Sequence, residues 1–448
     1  MPELRPYQIE DIKFLNQRKR VGCFNEQRTG KTPTALYFLN NHGCQKNLII
    51  CPASAIYSWV DEYEKWLNQL CLPLTGSRKR KYRTIQEWTH GLAVSYDSFK
   101  STKAYDGFAK PILQAKPEGV IIDEAHRIKG RTTQAAKAAY QCRNIPYRIA
   151  LTGTPSHGKP KEIFPILKWL YPKTFSSYWR FVYYFFYVYE KQGPHGAFKD
   201  IGNFKPGKEK ELAQILNKFT TQRKRIEVMP WLPKEEPPIE IKIPPTDKQK
   251  KYLNELKTYF ETEDIITQGI LDRLIRERQI CLHPGLLDLK GTSPKLDWIK
   301  DYLKDYPKKP TIFFSKFSSF LELVTKELNL PHHIITGKTS LSARKKKIEQ
   351  FQNGEKTILF INIDCGKENL TLDQAESIIF TDIYPPIGDI KQAKDRFVAT
   401  TEDKAHIPRR IYHLILKNTY DEQIYKNIHK LNSQADIVND YKKYLKGE

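Results

Sequence analysis

The sequence predicts an α/β protein with two parallel-sheet lobes in tandem, joined by a helical extension and a linker. Short apolar runs alternate with amphipathic segments, the rhythm of βαβ units that build a parallel sheet. That rhythm occurs twice, before about residue 170 and again after about residue 296, with a different composition in between. Each run ends in a cluster of polar or small residues, where an open α/β sheet places its chemistry.

In the first lobe, residues 1–170, the strand-like runs are Val21–Phe24, Asn47–Cys51, Leu92–Ser95, Gly119–Ile122 and Arg148–Leu151. Residues 171–235 change to aromatic and charged residues punctuated by Gly193, Gly196, Gly202 and Gly207, which reads as a mostly helical extension. Its stripe of Trp179, Phe181, Tyr183, Tyr184, Phe185, Phe186 and Tyr187 suits a packed core better than a base-stacking platform. The proline-rich stretch from Pro230 to Pro245 predicts a linker. Residues 236–295 then form a connection, with a helical segment from about Asp247 to Leu282. The second lobe, 296–430, has runs at Thr311–Phe314, His333–Thr336, Thr357–Ile361, Ser377–Thr381 and Arg410–Leu416, and 431–448 is left as a C-terminal tail.

Across 448 residues, 74 lysines and arginines face 51 acidic residues, a formal charge of +23 that favours a polyanionic partner. The seven cysteines form no CxxC pair and no zinc spacing, so reduced thiols and a soluble, cytoplasmic protein are expected. The most apolar run, Tyr178 to Tyr189, holds Arg180 and is far short of the ~20 residues of a membrane span.

Two strand ends carry the chemistry. Val21–Phe24 runs into Asn25-Glu26-Gln27-Arg28-Thr29-Gly30-Lys31-Thr32 and a helical pattern, the context of a phosphate loop. Backbone N–H groups at a helix start cradle phosphates, with Lys31 reaching the β/γ-phosphates and the Thr32 hydroxyl on Mg²⁺. Asn25 stands where the regular pattern has glycine, and a bare Gly-Lys followed by Ser or Thr arises by chance in about one such chain in five, so it needs company. Company comes at the end of Gly119–Ile122, in Asp123-Glu124-Ala125-His126. Adjacent carboxylates at a strand end need a cation or a proton to compensate them. Asp123 suits Mg²⁺ and Glu124 suits orienting and deprotonating a water. Arg148–Leu151 ends in Thr152-Gly153-Thr154-Pro155, short hydroxyls placed to relay movement or simply to start a helix.

Phosphate loop, Asp-Glu-Ala-His and Thr-Gly-Thr, in this order, resemble helicase-like motors of superfamily two, and the Swi/Snf-type branch in particular. Leu4-Arg5-Pro6-Tyr7-Gln8, Cys51-Pro52-Ala53-Ser54 with Trp59 and Glu62, Ser95-Tyr96-Asp97, and Thr221-Gln222-Arg223-Lys224-Arg225 through Leu232-Pro233 resemble further segments of that family. In the second lobe, Thr311–Phe317, Gly366–Leu370 with Asp373–Ala375, and Gln392-Ala393-Lys394-Asp395-Arg396 do the same. The likeness is greatest to the compact branch that rewinds or remodels branched DNA.

The resemblance implies RecA-like lobes binding ATP and Mg²⁺ between them. It implies catalysis by Lys31, Asp123, Glu124 and Arg396, with Thr32 and Asp123 on the metal. ATP contacts are implied for Arg5, Tyr7, Gln8, Gly30, Lys31, Thr32 and Gln392, with Gln8 reading adenine. Coupling falls to His126, Thr152, Gly153, Thr154, Gly366 and Asn369. DNA, double-stranded or branched, is the implied track of a monomeric ATP-dependent translocase, with RNA, strand separation or an ATP-gated clamp as alternatives and replication or repair proteins as candidate partners. Basic runs that suit backbone contact are Lys79, Arg80 and Lys81, then Arg223, Lys224 and Arg225, then Arg344, Lys345, Lys346 and Lys347. The chain departs from the family at Arg28 and Lys367, where glycines are usual, and at Ala399, where a second arginine is usual; Arg409 and Arg410 are nearby substitutes.

Overall fold

A computed structural model describes residues 2–426 apart from 102–105, 157–158, 194–195, 234–235, 259–269, 367–371, 383–389, 391–392 and 400–401. It divides into two compact units that part between Pro230 and Trp231.

Unit one is built on β1 (Arg20–Cys23), β2 (Asn47–Cys51), β3 (Cys71–Pro73), β4 (Gly91–Ser95), β5 (Gly119–Ile122) and β6 (Tyr147–Leu151). A hairpin of β7 (Phe186–Gly193) and β8 (Gly196–Phe204) follows, and then β9 (Thr220–Thr221). Seven strands form one sheet in the order β3-β4-β2-β5-β6-β1-β9, every neighbouring pair parallel. The strands are apolar almost throughout because both faces are covered. Leu48, Ile50, Val120, Ile122 and Ala150 enter one core, and Ile49, Ile121, Ile149 and Leu151 enter the other. That alternation is the two-residue period of a strand.

Arg148 is fully buried in β6. Its guanidinium donates to the carbonyls of Ile145, just before β6, and Leu170, the last residue of the helix Phe164–Leu170, both at 2.8 Å.

The extension after residue 170 corrects the sequence expectation of a mostly helical segment. The helix Tyr178–Phe185 buries Phe181, Val182 and Phe185 at helical spacing. The chain then turns into the antiparallel β7–β8 hairpin. The aromatic stripe is therefore split: Phe181, Phe185 and Phe186 are core, while Tyr183, Tyr184 and Tyr187 are exposed.

Unit two corrects the linker in the same way. Within the proline-rich stretch, β10 (Ile239–Ile243) pairs in parallel with the strand Arg410–Leu416 and forms a sheet edge, the position proline-flanked strands tolerate. With β11 (Thr311–Ser315), β12 (His332–Ile335), β13 (Ile358–Asn362), β14 (Ser377–Phe380) and β15 (Arg410–Leu416) it forms a parallel sheet, β10-β15-β14-β11-β13-β12. The expected helical segment appears as Asp247–Thr258 and Ile270–Leu282, with 259–269 outside the described residues.

Lys295 is completely buried in this unit, its Nζ 2.7 Å from an Asp421 carboxylate oxygen and donating to the Thr381 carbonyl at 2.7 Å. Removing one member of such a pair strands the other charge, whereas replacing both by apolar groups does not. Asp421→Ala is accordingly expected to destabilise unit two by about 3–5 kcal/mol. The double change Lys295→Met with Asp421→Leu is expected to cost far less, and urea unfolding of the three proteins checks it.

Candidate nucleotide and catalytic site

Parallel pairing brings the loops after β1, β5 and β6 to one edge of unit one's sheet. The loop after β1 is shaped by two left-handed residues, Arg28 and Gly30, with φ of 68° and 73°. Gly30 has no room for a side chain, since a Cβ there would lie 2.1 Å from Gln8 Nε2. The helix Lys31–Asn41 begins directly after it, so its first N–H groups face the loop.

The helix Pro6–Leu15 clamps this loop from outside. Tyr7 donates its hydroxyl to the Thr29 carbonyl at 2.9 Å, and Gln8 Nε2 donates to the Gly30 carbonyl at 3.2 Å. Gln8 Oε1 accepts from the Arg5 N–H at 2.8 Å, so both ends of this buried carboxamide are engaged. Asp11, which sequence reasoning missed, accepts from Asn25 Nδ2 at 2.7 Å and from Arg223 Nε at 2.9 Å. Asn25, at the position of the pattern's first glycine, thus anchors the loop through its side chain.

Lys31 Nζ donates to the Glu26 carbonyl at 3.1 Å. The Thr32 hydroxyl makes no hydrogen bond among the described residues.

Asp123 and Glu124 follow β5. Both oxygens of Asp123 are fixed: Trp59 Nε1 donates to Oδ2 at 2.8 Å, and the Glu124 N–H donates to Oδ1 at 2.9 Å. The Tyr96 hydroxyl donates to the Asp123 carbonyl at 2.7 Å. Trp59 and Tyr96 belong to segments that drew attention only through the family resemblance, which gave them no role. Burial first, and then the Glu124 charge, push the Asp123 carboxyl from 3.8 up to about 6, against the Trp59 hydrogen bond and the Lys31 charge.

Glu124 sits in the left-handed region at φ 49°, an unusual conformation for a residue with a side chain. Its Oε2 lies 3.4 Å from His126 Nδ1, which is also 3.2 Å from the Thr152 hydroxyl. Thr152 Oγ1 in turn accepts from the Thr154 N–H at 3.1 Å. A continuous polar path therefore joins the carboxylate pair to the loop after β6. Gly153 completes it by close approach, a Cβ there falling 3.2 Å from the Gln27 backbone nitrogen.

A metal cluster of three or more His, Cys, Asp or Glu is absent among the described residues. The arrangement suits instead a cation held by one carboxylate, a hydroxyl and phosphate oxygens, the usual manner of Mg²⁺. The raised Asp123 carboxyl fits this, because a cation beside it would offset the crowding of two negative charges.

The remaining predicted residues fall into two groups. Arg223 pairs with Glu10 and Asp11, both at 2.9 Å, and the Arg225 N–H donates to Glu26 Oε2 at 2.8 Å. Two of the three residues in that basic run therefore tie down the loop after β1. Lys79 and Arg80 are exposed on the helix Arg78–Glu87, while Lys81 Nζ donates to the Ser98 hydroxyl at 3.0 Å. In unit two, Lys345 and Lys346 are exposed, Arg344 meets Cys365 Sγ at 3.5 Å and Lys347 donates to the Ile334 carbonyl at 2.8 Å.

Gly366 packs so near Phe314 that a Cβ would lie 2.4 Å from its ring. Asn369 and Gln392 lie outside the described residues. Arg396 is half-buried, and its carbonyl accepts from the Leu372 N–H at 2.9 Å. Ala399 is buried, and Arg409 directs its donors to the carbonyls of Phe397, Ile407, Asp373 and Lys404. Arg409 is thus a structural brace rather than a substitute for the missing second arginine.

The Asp123 carboxyl has a signed consequence for the ligand-free protein. Its pKa is higher in the folded state, so its contribution to stability is fully present below 3.8 and is lost as pH rises through about 6. Asp123→Asn removes the titrating charge but sets its amide NH2 against one of the two N–H donors, so the expected effect is on pH dependence: its melting temperature relative to the parent's is expected to be roughly 2–4 °C higher at pH 7 than near pH 4, measured by calorimetry.

The chain is 26% identical over 426 residues to the human DNA annealing helicase and endonuclease ZRANB3, covering 88% of this chain and 37% of that protein. It is 25% identical to an uncharacterized ATP-dependent helicase of Mycoplasma pneumoniae, covering 94% and 41% respectively. The chain spans about two fifths of the length of these relatives. A Sulfolobus solfataricus SWI2/SNF2 ATPase core in complex with dsDNA is similar over 98% of this chain and 93% of its own, at 22% identity and a TM-score of 0.44. The helicase conserved C-terminal domain matches residues 294–398. The SNF2-related domain matches residues 7–286, more than half of the sequence, and the chain belongs to that family.

Proposed function

We propose that this chain is an ATP-dependent motor that tracks along double-stranded or branched DNA. The observation that carries the reading is the polar path from Asp123 and Glu124 through His126 to Thr152 and Thr154. It joins a candidate hydrolytic pair to a second loop of the same unit. A site built only to hold a nucleotide has no use for such a path, whereas a motor must pass the state of its nucleotide to the rest of the fold.

In this reading Lys31 and the N–H groups opening the helix Lys31–Asn41 hold the phosphates. Thr32 and Asp123 hold Mg²⁺, which when bound neutralises phosphate charge. Trp59 keeps Asp123 in one orientation, and Glu124 orients the attacking water and accepts its proton. Arg396 stabilises charge on the transferred group, as the family resemblance implies. Gln8 acts by fixing the Gly30 carbonyl, and adenine recognition falls to the outer faces of Arg5 and Tyr7. Duplex DNA is favoured over RNA by the similarity to a DNA annealing helicase. The net charge of +23 supports a phosphate-led grip. Lys79, Arg80, Lys345 and Lys346 are the grip candidates whose side chains are exposed.

Ala399 favours one alternative, a clamp that binds nucleic acid under ATP control and hydrolyses slowly. Steady-state ATP hydrolysis with duplex DNA, branched DNA, single strands and RNA separates the readings. Stimulation is expected to be greatest with duplex or branched DNA, to disappear in Lys31→Ala, and to fall about 10²-fold or more in Glu124→Gln. ATP binding without turnover on any polymer would instead support the clamp. Duplex affinity is expected to fall with salt at a log–log slope of about −0.9 per phosphate contact, and a flat response would exclude the backbone-led grip.

A further inference from the structure

The β7–β8 hairpin carries a feature that a nucleotide-driven core does not need. Tyr189 stands opposite Asp200, and Lys191 opposite Phe198. Side chains alternate across a strand, so Tyr187, Tyr189, Lys191, Phe198 and Asp200 share one face. Three large rings on that face are open to solvent, Tyr187 at 42%, Tyr189 at 52% and Phe198 at 51%. The rings of Tyr187 and Tyr189 are near parallel, 21° apart with centroids 6.4 Å distant.

Glycine allows the rings to lie close over the backbone. A Cβ at Gly202 would come within 2.8 Å of the Tyr189 ring, and one at Gly193 within 3.1 Å of Phe198. On the opposite face Val188 and Ile201 pack on the unit-one core and Lys199 covers the rings of Trp179 and Tyr183, while the exposed residues Glu190, Gln192 and Ala197 are polar or small. Of the hairpin's two faces, the one bearing Tyr187, Tyr189 and Phe198 presents large exposed rings.

Beside the open face lysines outnumber carboxylates by one. Lys191 lies 2.6 Å from Asp200, and Lys159 and Lys161 also act on that carboxylate. Glu162 is the other acid beside Lys161, so three lysines meet two carboxylates. Lys159 and Lys161 lie on the segment that follows Thr154-Pro155, and the Ser156 hydroxyl donates to the Lys159 carbonyl at 2.8 Å. The hairpin thus neighbours the end of the coupling path.

We propose that this face binds unpaired nucleotides, with bases stacking on Tyr187, Tyr189 and Phe198 and phosphates drawn to the neighbouring lysines. Stacking needs an exposed base face, which a strand has and a duplex does not. A solvent-exposed two-stranded hairpin is marginal by itself, and ring stacking is how it gains from its ligand. The substrate is then DNA in which duplex meets single strand. This rests on the nucleic-acid reading above.

The test is fluorescence anisotropy of the full chain, without ATP, on labelled oligo-dT and on a blunt duplex. Tyr187→Ala/Tyr189→Ala/Phe198→Ala is expected to lose about 10-fold or more in oligo-dT affinity while duplex affinity holds. Tyr187→Phe/Tyr189→Phe is expected to bind oligo-dT like the parent, because stacking uses the ring and not the hydroxyl. Coincident thermal melts show that the variants fold. Equal losses on strand and duplex, or no loss on either, overturn the proposal and leave the rings to a protein partner. A parent chain that binds neither DNA overturns the motor reading as well, so the two failures are distinguishable.

Discussion

Parallel strand pairing is the constraint on which the candidate site of unit one depends. Because β1, β5 and β6 run the same way, side by side in the order β5-β6-β1, the segments leaving them emerge at one edge. An antiparallel neighbour would send one of those segments to the far side. The register fixes the detail: Ile122 stands beside Ala150, so the carboxylates after β5 and the threonines after β6 begin one residue apart in height. A single atom, His126 Nδ1, then comes within 3.4 Å of Glu124 Oε2 and 3.2 Å of Thr152 Oγ1.

Hydrogen bonds from distant parts of the chain hold the loop after β1 in a shape its own sequence does not favour. Arg28 takes a left-handed conformation that glycine would adopt without cost, and the first glycine of the usual pattern is Asn25. Compensation comes through Asp11, which receives Asn25 and Arg223, and through Glu26, which receives the Arg225 backbone. Arg223 and Arg225 follow the loop by about two hundred residues. A basic run that looks like a phosphate grip in the sequence is therefore partly a brace, and its charge is locally offset by Glu10, Asp11 and Glu26.

The extension shows how one aromatic-rich segment serves two purposes. In Tyr178–Phe185 helical spacing turns Phe181, Val182 and Phe185 inward. From Phe186 onward the period becomes two, and the same residue types appear on the open face of a hairpin. Unit two uses its middle segment differently, adding β10 to a sheet edge where the flanking prolines break no ladder.

The sequence by itself determined ten of the thirteen strands of the two sheets to within a residue, because a strand buried on both faces must be continuously apolar; the short β3 and β9 and the largely exposed edge strand β10 carry no such run. It also singled out the Gly-Lys-Thr loop, the carboxylate pair and the Thr-Gly-Thr turn, which the fold places after the neighbouring strands β1, β5 and β6. Local pattern does not encode which distant groups meet. The pairing of Asp11 with Arg223, the Trp59 hydrogen bond to Asp123 and the role of Arg409 as a brace were decided only in the tertiary structure. So was the division of the aromatic stripe, because composition is the same on either side of Phe186 and only the change of backbone period sends Phe185 inward and Tyr187 out.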